Sequence, residues 1–279
     1  MQSTVETALG EYALAVGPAA VRRLHALHHI YAPAGRRVLR QAGLSPGMKV
    51  ADFGCGVGAT TRSLAELVGP GGSVVGIDAS AGQISEAQAL CARAGLTQTS
   101  FLESSAYDTH LPRNSFDFAY CRFLLLHLSD PAACLQEMRS VLKPGGTLFI
   151  EDGDLRTACS LPATALNFFG QLFSRLAPFR GVDYSIANKL FHLMKAAGFP
   201  DVNMEIHQPA LIRGEGRNLL KWSVEEAGAA FVDAGLVTRD QLKQILLDMQ
   251  IAIDNPDVLV LAPRMSIMWS VKSNGRNTY

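Results

Sequence analysis

The chain has 279 residues, 48% of them hydrophobic, with 25 Lys plus Arg balanced by 25 Asp plus Glu. That is enough apolar material for one large core or two small ones, and a net charge of zero supplies no basic field of the kind that phosphate-backbone binding needs, so nucleic acid is not an expected partner. The five cysteines, Cys55, Cys91, Cys121, Cys134 and Cys159, are odd in number and never spaced as CxxC, which argues against a disulfide framework and a zinc site and for a reducing, cytoplasmic setting.

In chain order, residues 4–43 carry apolar residues at helical spacing, among them Leu9, Tyr12 and Val16 and then Leu24, Leu27 and Tyr31. Glu6, Glu11 and the Gly17-Pro18 pair speak against a secretory leader. Pro33 is expected to break the helical pattern and to open a further short helix carrying Val38 and Leu39. Leu44-Ser-Pro-Gly47 closes this extension with turn chemistry.

From Met48 the pattern alternates. Strands are expected at 48–53, 73–78, 98–103, 116–121 and 146–152, and helices near 59–68, 80–94 and 130–142, with turns at Gly69-Pro-Gly-Gly72 and Lys143-Pro-Gly-Gly146. Beyond 153 the expectation is an apolar helix over 155–180, a helix at 185–197, a strand at 201–207, two helices within 217–254 and a last strand at 264–272. Apolar strands separated by helices imply a mostly parallel sheet covered on both faces. The organisation expected is an N-terminal helical lid at 1–45 and one domain at 46–279, with helical cap insertions at about 154–182 and 212–256. No run is long enough to span a membrane.

Ligands on such a sheet bind at the carboxyl ends of the strands, which directs attention to Val50-Ala-Asp-Phe-Gly-Cys-Gly-Val-Gly58. Glycines here allow a sharp turn and close approach of a ligand to the backbone. Gly54-x-Gly56-x-x-Ala59 formally satisfies a dinucleotide fingerprint. Asp52, two residues before the first glycine, would repel a pyrophosphate but suits a cationic ligand group. Asp78, at the end of the second strand, can accept hydrogen bonds from ribose hydroxyls, a need shared by nicotinamide and adenosyl cofactors.

Four segments in register resemble the class I S-adenosylmethionine-dependent methyltransferases. They are residues 50–58, Gly76-Ile-Asp-Ala-Ser80, Asn114-Ser-Phe-Asp117 and Leu142-Lys-Pro-Gly-Gly146. Arg122-Phe-Leu-Leu-Leu-His-Leu128-Ser-Asp-Pro131 is similar to the post-strand segment of the small-molecule group around the ubiquinone and menaquinone methyltransferases. The resemblance covers about residues 48–152 and implies a Rossmann-like, mostly parallel seven-stranded sheet with S-adenosyl-L-methionine as cofactor. It further implies that Asp52, Gly54, Cys55 and Gly56 hold the methionine end and Asp78 the ribose, with Ala79, Ser80 and Gln83 lining ribose and adenine. Where the family commonly has an acidic or amide residue before alanine, this chain has Ser105-Ala106, a hydroxyl that can still accept a hydrogen bond. Arg122 is placed to meet the methionine carboxylate, and Tyr31 to fold over the cofactor as part of the lid.

A sulfonium is already an activated methyl donor, so positioning the acceptor is expected to outweigh acid–base catalysis. His127, just past the fourth strand, is the candidate base, with a helix-packing histidine as the alternative; Asp152 or Glu151 at the end of the fifth strand is a candidate for orienting the acceptor. His25, His28 and His29 share one helical face with no carboxylate or cysteine nearby, so no metal is expected. The phenylalanines of 168–179 and the apolar residues of 217–254 form either a substrate-pocket wall or the helix core and an oligomer contact, and Arg180, Asp183 and Asn188 are candidate polar contacts there. The expected partner is a small, fairly apolar acceptor, with a homo-oligomer possible in principle. A nicotinamide-dependent oxidoreductase and a catalytically silent cofactor-binding protein are the competing readings.

Overall fold

The computed structural model describes residues 18–273. The first expected helical residues, 4–16, lie outside them. Helix α1 runs from Pro18 to Gln41 without a break at Pro33. A proline inside a helix costs about 3 kcal/mol, but Tyr31, Val38 and Leu39 on the same helix are buried against the sheet, and that packing outweighs the lost backbone bond.

The core follows the expected alternation closely: β1 (Lys49–Phe53), α2 (Ala59–Val68), β2 (Ser73–Asp78), α3 (Ala81–Arg93), β3 (Thr99–Glu103), β4 (Phe116–Arg122), α4 (Pro131–Val141) and β5 (Leu142–Asp154). The expected turn at 143–146 is absorbed into β5 as an irregularity: Phe116 pairs with Leu142, but Phe118 already pairs with Thr147. Then come β6 (Cys159–Leu161), α5 (Phe168–Arg180), α6 (Leu190–Ala196), β7 (Asn203–His207), β8 (Ala210–Leu211), α7 (Leu219–Glu226), α8 (Gly228–Asp233), α9 (Arg239–Asp254), β9 (Leu259–Leu261) and β10 (Arg264–Val271).

The main sheet has seven strands in the order β3-β2-β1-β4-β5-β10-β7. β1 is parallel to both β2 and β4, and β10 is antiparallel to both β5 and β7. Strand order reverses between β1 and β4, the place where an open α/β sheet leaves a crevice. Among the described residues no helix is long and apolar enough to cross a membrane.

The main departures lie after residue 154. The single helix expected over 155–180 is a 3-10 turn, strand β6, a second 3-10 turn and only then α5. Residues 217–254 hold three α-helices instead of two. β6, β9 and β8 form a second, antiparallel sheet. Its central strand pairs Leu261 with Cys159, about a hundred positions away, so no local pattern announces it. One buried guanidinium holds this region together. Arg217 donates to the carbonyls of Leu211, Ile212, Ile253, Asn255 and Val258 at 2.9–3.2 Å, joining β8, the end of α9 and the approach to β9. A cation is favoured at the carbonyl end of α9. Replacing Arg217 with methionine strands several buried carbonyls, and thermal or denaturant unfolding is expected to show a loss of about 3 kcal/mol or more; a loss below about 1 kcal/mol would contradict the clamp.

Candidate functional site

A cavity of about 800 Å³ opens above the carboxyl ends of β1 to β4. Its floor is the turn after β1. Gly54 and Gly56 have φ of +66° and +54°, and a Cβ on Gly54 would lie 2.8 Å from Leu124 Cδ1, while one on Gly56 would lie 3.0 Å from Gln83 Oε1. The absence of side chains at these two positions is what keeps the floor open. Cys55 lies between them, buried, with its thiol pushed well up by that burial, so it fills the turn rather than acting as a nucleophile.

Asp78 lines the cavity with its geometry fixed from two sides. Oδ2 accepts from Gly56 N at 2.9 Å and Oδ1 from Ser80 N at 3.0 Å. Burial raises its pKa while those bonds act against the shift, and each oxygen retains acceptor capacity for a hydroxyl. Ala79, Ser80 and Gln83 line the same wall, where Ser80 caps α3 by accepting from Gln83 N. Ser105 and Ala106 lie opposite, joined by Tyr107, whose hydroxyl accepts from Asp130 N at 3.2 Å.

Arg122 is a lining residue fixed from behind. Its Nη2 donates to Thr60 Oγ1 at 2.6 Å and lies 2.9 Å from His28 Nδ1. His28 in turn meets Ser63 Oγ at 3.2 Å, and burial, with Arg122 next, lowers its pKa to about 3. The expected half-solvated histidine face is thus one exposed residue, His29, and one support for Arg122. Among the described residues no group of three or more His, Cys, Asp or Glu side chains is arranged to hold a metal ion.

Three expected site residues do not border the cavity. Asp52 is buried beneath the glycine turn and accepts from Thr61 Oγ1 at 2.6 Å. Burial raises its pKa to about 7, with Arg122 opposing that shift. Tyr31 is buried, donates to Pro263 O at 2.7 Å and packs edge-on against Phe123 at 5.1 Å; both partners line the cavity. Asp152 accepts from Leu125 N at 2.8 Å, Leu126 N at 3.3 Å and Gly153 N at 2.9 Å. It therefore reaches the cavity only through the 3-10 turn Leu125–His127 that it holds. Glu151 also points away from the cavity, and its carboxylate accepts from the Tyr120 hydroxyl.

His127 does border the cavity, edge-on to Tyr184 at 5.8 Å. Burial and then the Arg23 charge lower its pKa to about 3, although part of the ring remains accessible on its cavity side. Beyond it the walls turn apolar: Leu155, Phe169, Phe173, Val182, Leu219 and Leu220. Of the phenylalanines flagged in the sequence, Phe169 and Phe173 form wall while Phe168 and Phe179 are exposed. Arg180, Asp183 and Asn188 are not lining residues; Asn188 donates to Asp154 and Asp183 pairs with Lys189. The polar groups at this end are Arg23, His127 and Ser223. Arg23 and Thr60 carry no sequence signal for the site, and His28 only that of a helix face, because helical spacing places them without showing which strand end they face.

Two outcomes follow from the electrostatics. Asp52 has a folded-state pKa near 7 against about 3.9 unfolded, so its contribution to stability is complete below about pH 4 and is lost as pH rises through 7. The loss is on the order of 4 kcal/mol at most. In melting curves of the ligand-free protein, Asp52→Asn should flatten the fall in stability between pH 4 and 7 without abolishing it, because the carboxyl of Asp152 is also raised to about 7 by burial. An unchanged slope would contradict this. For His127, an NMR titration should find a neutral ring from pH 5 to 8, and a midpoint near 6.5 would refute the burial argument.

A family model for the methyltransferase domain matches residues 51–150. The chain is 30% identical over 181 residues to a demethylmenaquinone methyltransferase of Geobacillus stearothermophilus, covering 60% of this chain and 77% of the relative. It is 34% identical over 171 residues to phosphoethanolamine N-methyltransferase 1 of Arabidopsis thaliana, covering 61% of this chain but only 32% of that protein's length. A crystal structure of an S-adenosylmethionine-dependent methyltransferase from Aquifex aeolicus superposes with a TM-score of 0.55 at 25% identity, over 70% of this chain and 94% of that one. The glycine cradle and the doubly held Asp78 fit S-adenosyl-L-methionine, and the matched family and structure favour it over a nicotinamide cofactor. The chain belongs to the class I S-adenosylmethionine-dependent methyltransferases.

Proposed function

We propose that this enzyme transfers a methyl group to a small, fairly apolar acceptor by in-line displacement. The observation that carries the reading is the division of one cavity into two chemistries. Its floor offers backbone, Asp78, Ser80 and Ser105, whereas its far end is walled by Leu and Phe side chains from α5 and α7. The relatives' names span a quinone precursor and a phosphorylated amine; the apolar far end favours the less polar kind of acceptor.

The bound cofactor supplies a methyl group already activated on a sulfonium. What remains for the protein is placement. Asp78 and the glycine turn fix one end, Arg122 offers a cation for a carboxylate, and the apolar walls exclude water from the far end. Holding two reactants in attack geometry supplies roughly 7–11 kcal/mol, against about 3–5 kcal/mol for a good general base. His127 is poorly basic in this setting, so its role is to orient the acceptor more than to remove a proton. Asp152 positions His127 through the backbone of its turn. Within the expected lid of residues 1–45, α1 acts as the lid, and the segments at about 154–182 and 212–256 act as the cap over the acceptor. The five free cysteines, four of them buried, support a reducing cytoplasmic setting.

Calorimetric titration with S-adenosylhomocysteine tests the assignment. Asp78→Ala should weaken binding tenfold or more while the melting temperature of the free protein stays close to that of the parent. Equal affinity in the two proteins would remove Asp78 from the site.

A further inference from the structure

The acceptor end of the cavity contains a charge that packing does not require. Arg23, on α1, is 4% exposed and lines the cavity. Its Nε donates to Glu226 Oε2 on α7 at 2.9 Å, and both side chains are 5% exposed. The other carboxylate oxygen of Glu226 is buried without a hydrogen-bond partner. Desolvating two charges costs as much as their attraction returns, so a buried pair is a weak stabiliser compared with apolar side chains of similar size. The α1–α7 seam is also pinned from outside, where Arg22 stacks on Trp222 at 4.3 Å and pairs with Glu215 at 2.6 Å. Glu226 is not a lining residue. It therefore backs the guanidinium and leaves the positive side of the pair toward the chamber.

We propose that Arg23 is a specificity-determining residue that receives the acceptor as an oxyanion, so that the acceptor is an apolar molecule carrying an acidic hydroxyl, a phenol or an enol, and the methyl group goes to oxygen. This rests on the methyltransferase reading above and narrows its substrate class. The charges around the chamber exclude the main competitor. Among the described residues, the carboxylates that line the cavity are Asp78 and Glu103, at the ends of β2 and β3 on the cofactor side. An ammonium at the acceptor end would meet Arg23 with no lining carboxylate to receive it. A phenolate or enolate instead gains a charge-assisted hydrogen bond in a water-poor site. The weak basicity of His127 is consistent with an acceptor that ionises readily. The step balances without a further reactant. The hydroxyl proton is released to water as the oxyanion binds, an oxygen lone pair forms the new O–C bond, and the C–S bond breaks with its electron pair kept on sulfur as a neutral thioether.

The test uses the full chain saturated with S-adenosylhomocysteine and an isosteric pair of probes, 2-naphthol and 2-naphthylamine, with binding read by fluorescence or calorimetry. The parent should bind the naphthol at least tenfold more tightly than the amine. Removing the whole ion pair in Arg23→Met with Glu226→Met avoids stranding a buried carboxylate, and it should erase that preference while leaving affinity for S-adenosylhomocysteine unchanged. Arg23→Lys, which keeps the charge beside Glu226, should retain most of it. No hydroxyl preference in the parent, no binding of either probe, or a preference that survives in the double variant overturns the assignment. Titration of S-adenosylhomocysteine in the same samples separates the two levels. Failure there removes the cofactor site and this inference with it, whereas normal cofactor binding without a hydroxyl preference removes Arg23 alone.

Discussion

The site depends on one cation set among buried acids. Arg122 sits at the end of β4, with Asp52 at the end of β1 on one side and Glu151 on β5 on the other. Each of those carboxyls is buried, and each is eased toward its charged form by Arg122. The same guanidinium reaches Thr60 on α2 and His28 on α1. Two neighbouring strands and two helices are thus tied to a single charge, at the point where the strand order reverses. Without such a charge, burial would force these acids neutral, and α2, which follows the glycine turn, would lose a polar link to α1.

The two ends of the cavity are built in different ways. The cofactor floor is made by short-range geometry: a strand end, a turn with left-handed glycines, and a carboxylate bonded to amides two and twenty-two positions away. The acceptor end comes from elements far apart in the chain, with α1, the turn after β4, α5 and α7 each supplying side chains. A floor of the first kind tolerates little change. A roof of the second kind can alter its chemistry by single substitutions without disturbing the sheet.

That contrast explains how much was legible in the sequence. Residues 48–141 are legible nearly to the residue, because Val50 to Gly58 and Val74 to Asp78 declare strand and turn within one local window. Asp78, Ser80, Gln83 and Ser105 were expected at the cavity and line it. Asp152 was expected to face the acceptor, but the alternation of a strand cannot reveal that a 3-10 turn would fold over its carboxylate and claim Oδ2 while Gly153 N takes Oδ1. The segments at 154–182 and 212–256 are legible only as helical material. The pairing of β6 with β9 and the carbonyl clamp of Arg217 are long-range and leave no periodic trace. Pro33 misled for the related reason that its local penalty is smaller than the burial around Tyr31 and Val38.

Helix α1 borders both halves of the cavity. Leu24 lies near the glycine turn, a Cβ on Gly56 falling 3.9 Å from its Cδ1. Arg23, one residue away, faces the acceptor chamber, and His28 and Tyr31 further along bind Arg122 and the carbonyl of Pro263. A displacement of this helix that admits an acceptor therefore also rebuilds the wall beside the cofactor. Where such a displacement occurs, it couples the two halves, and any effect of cofactor on acceptor affinity is matched by an equal effect in return.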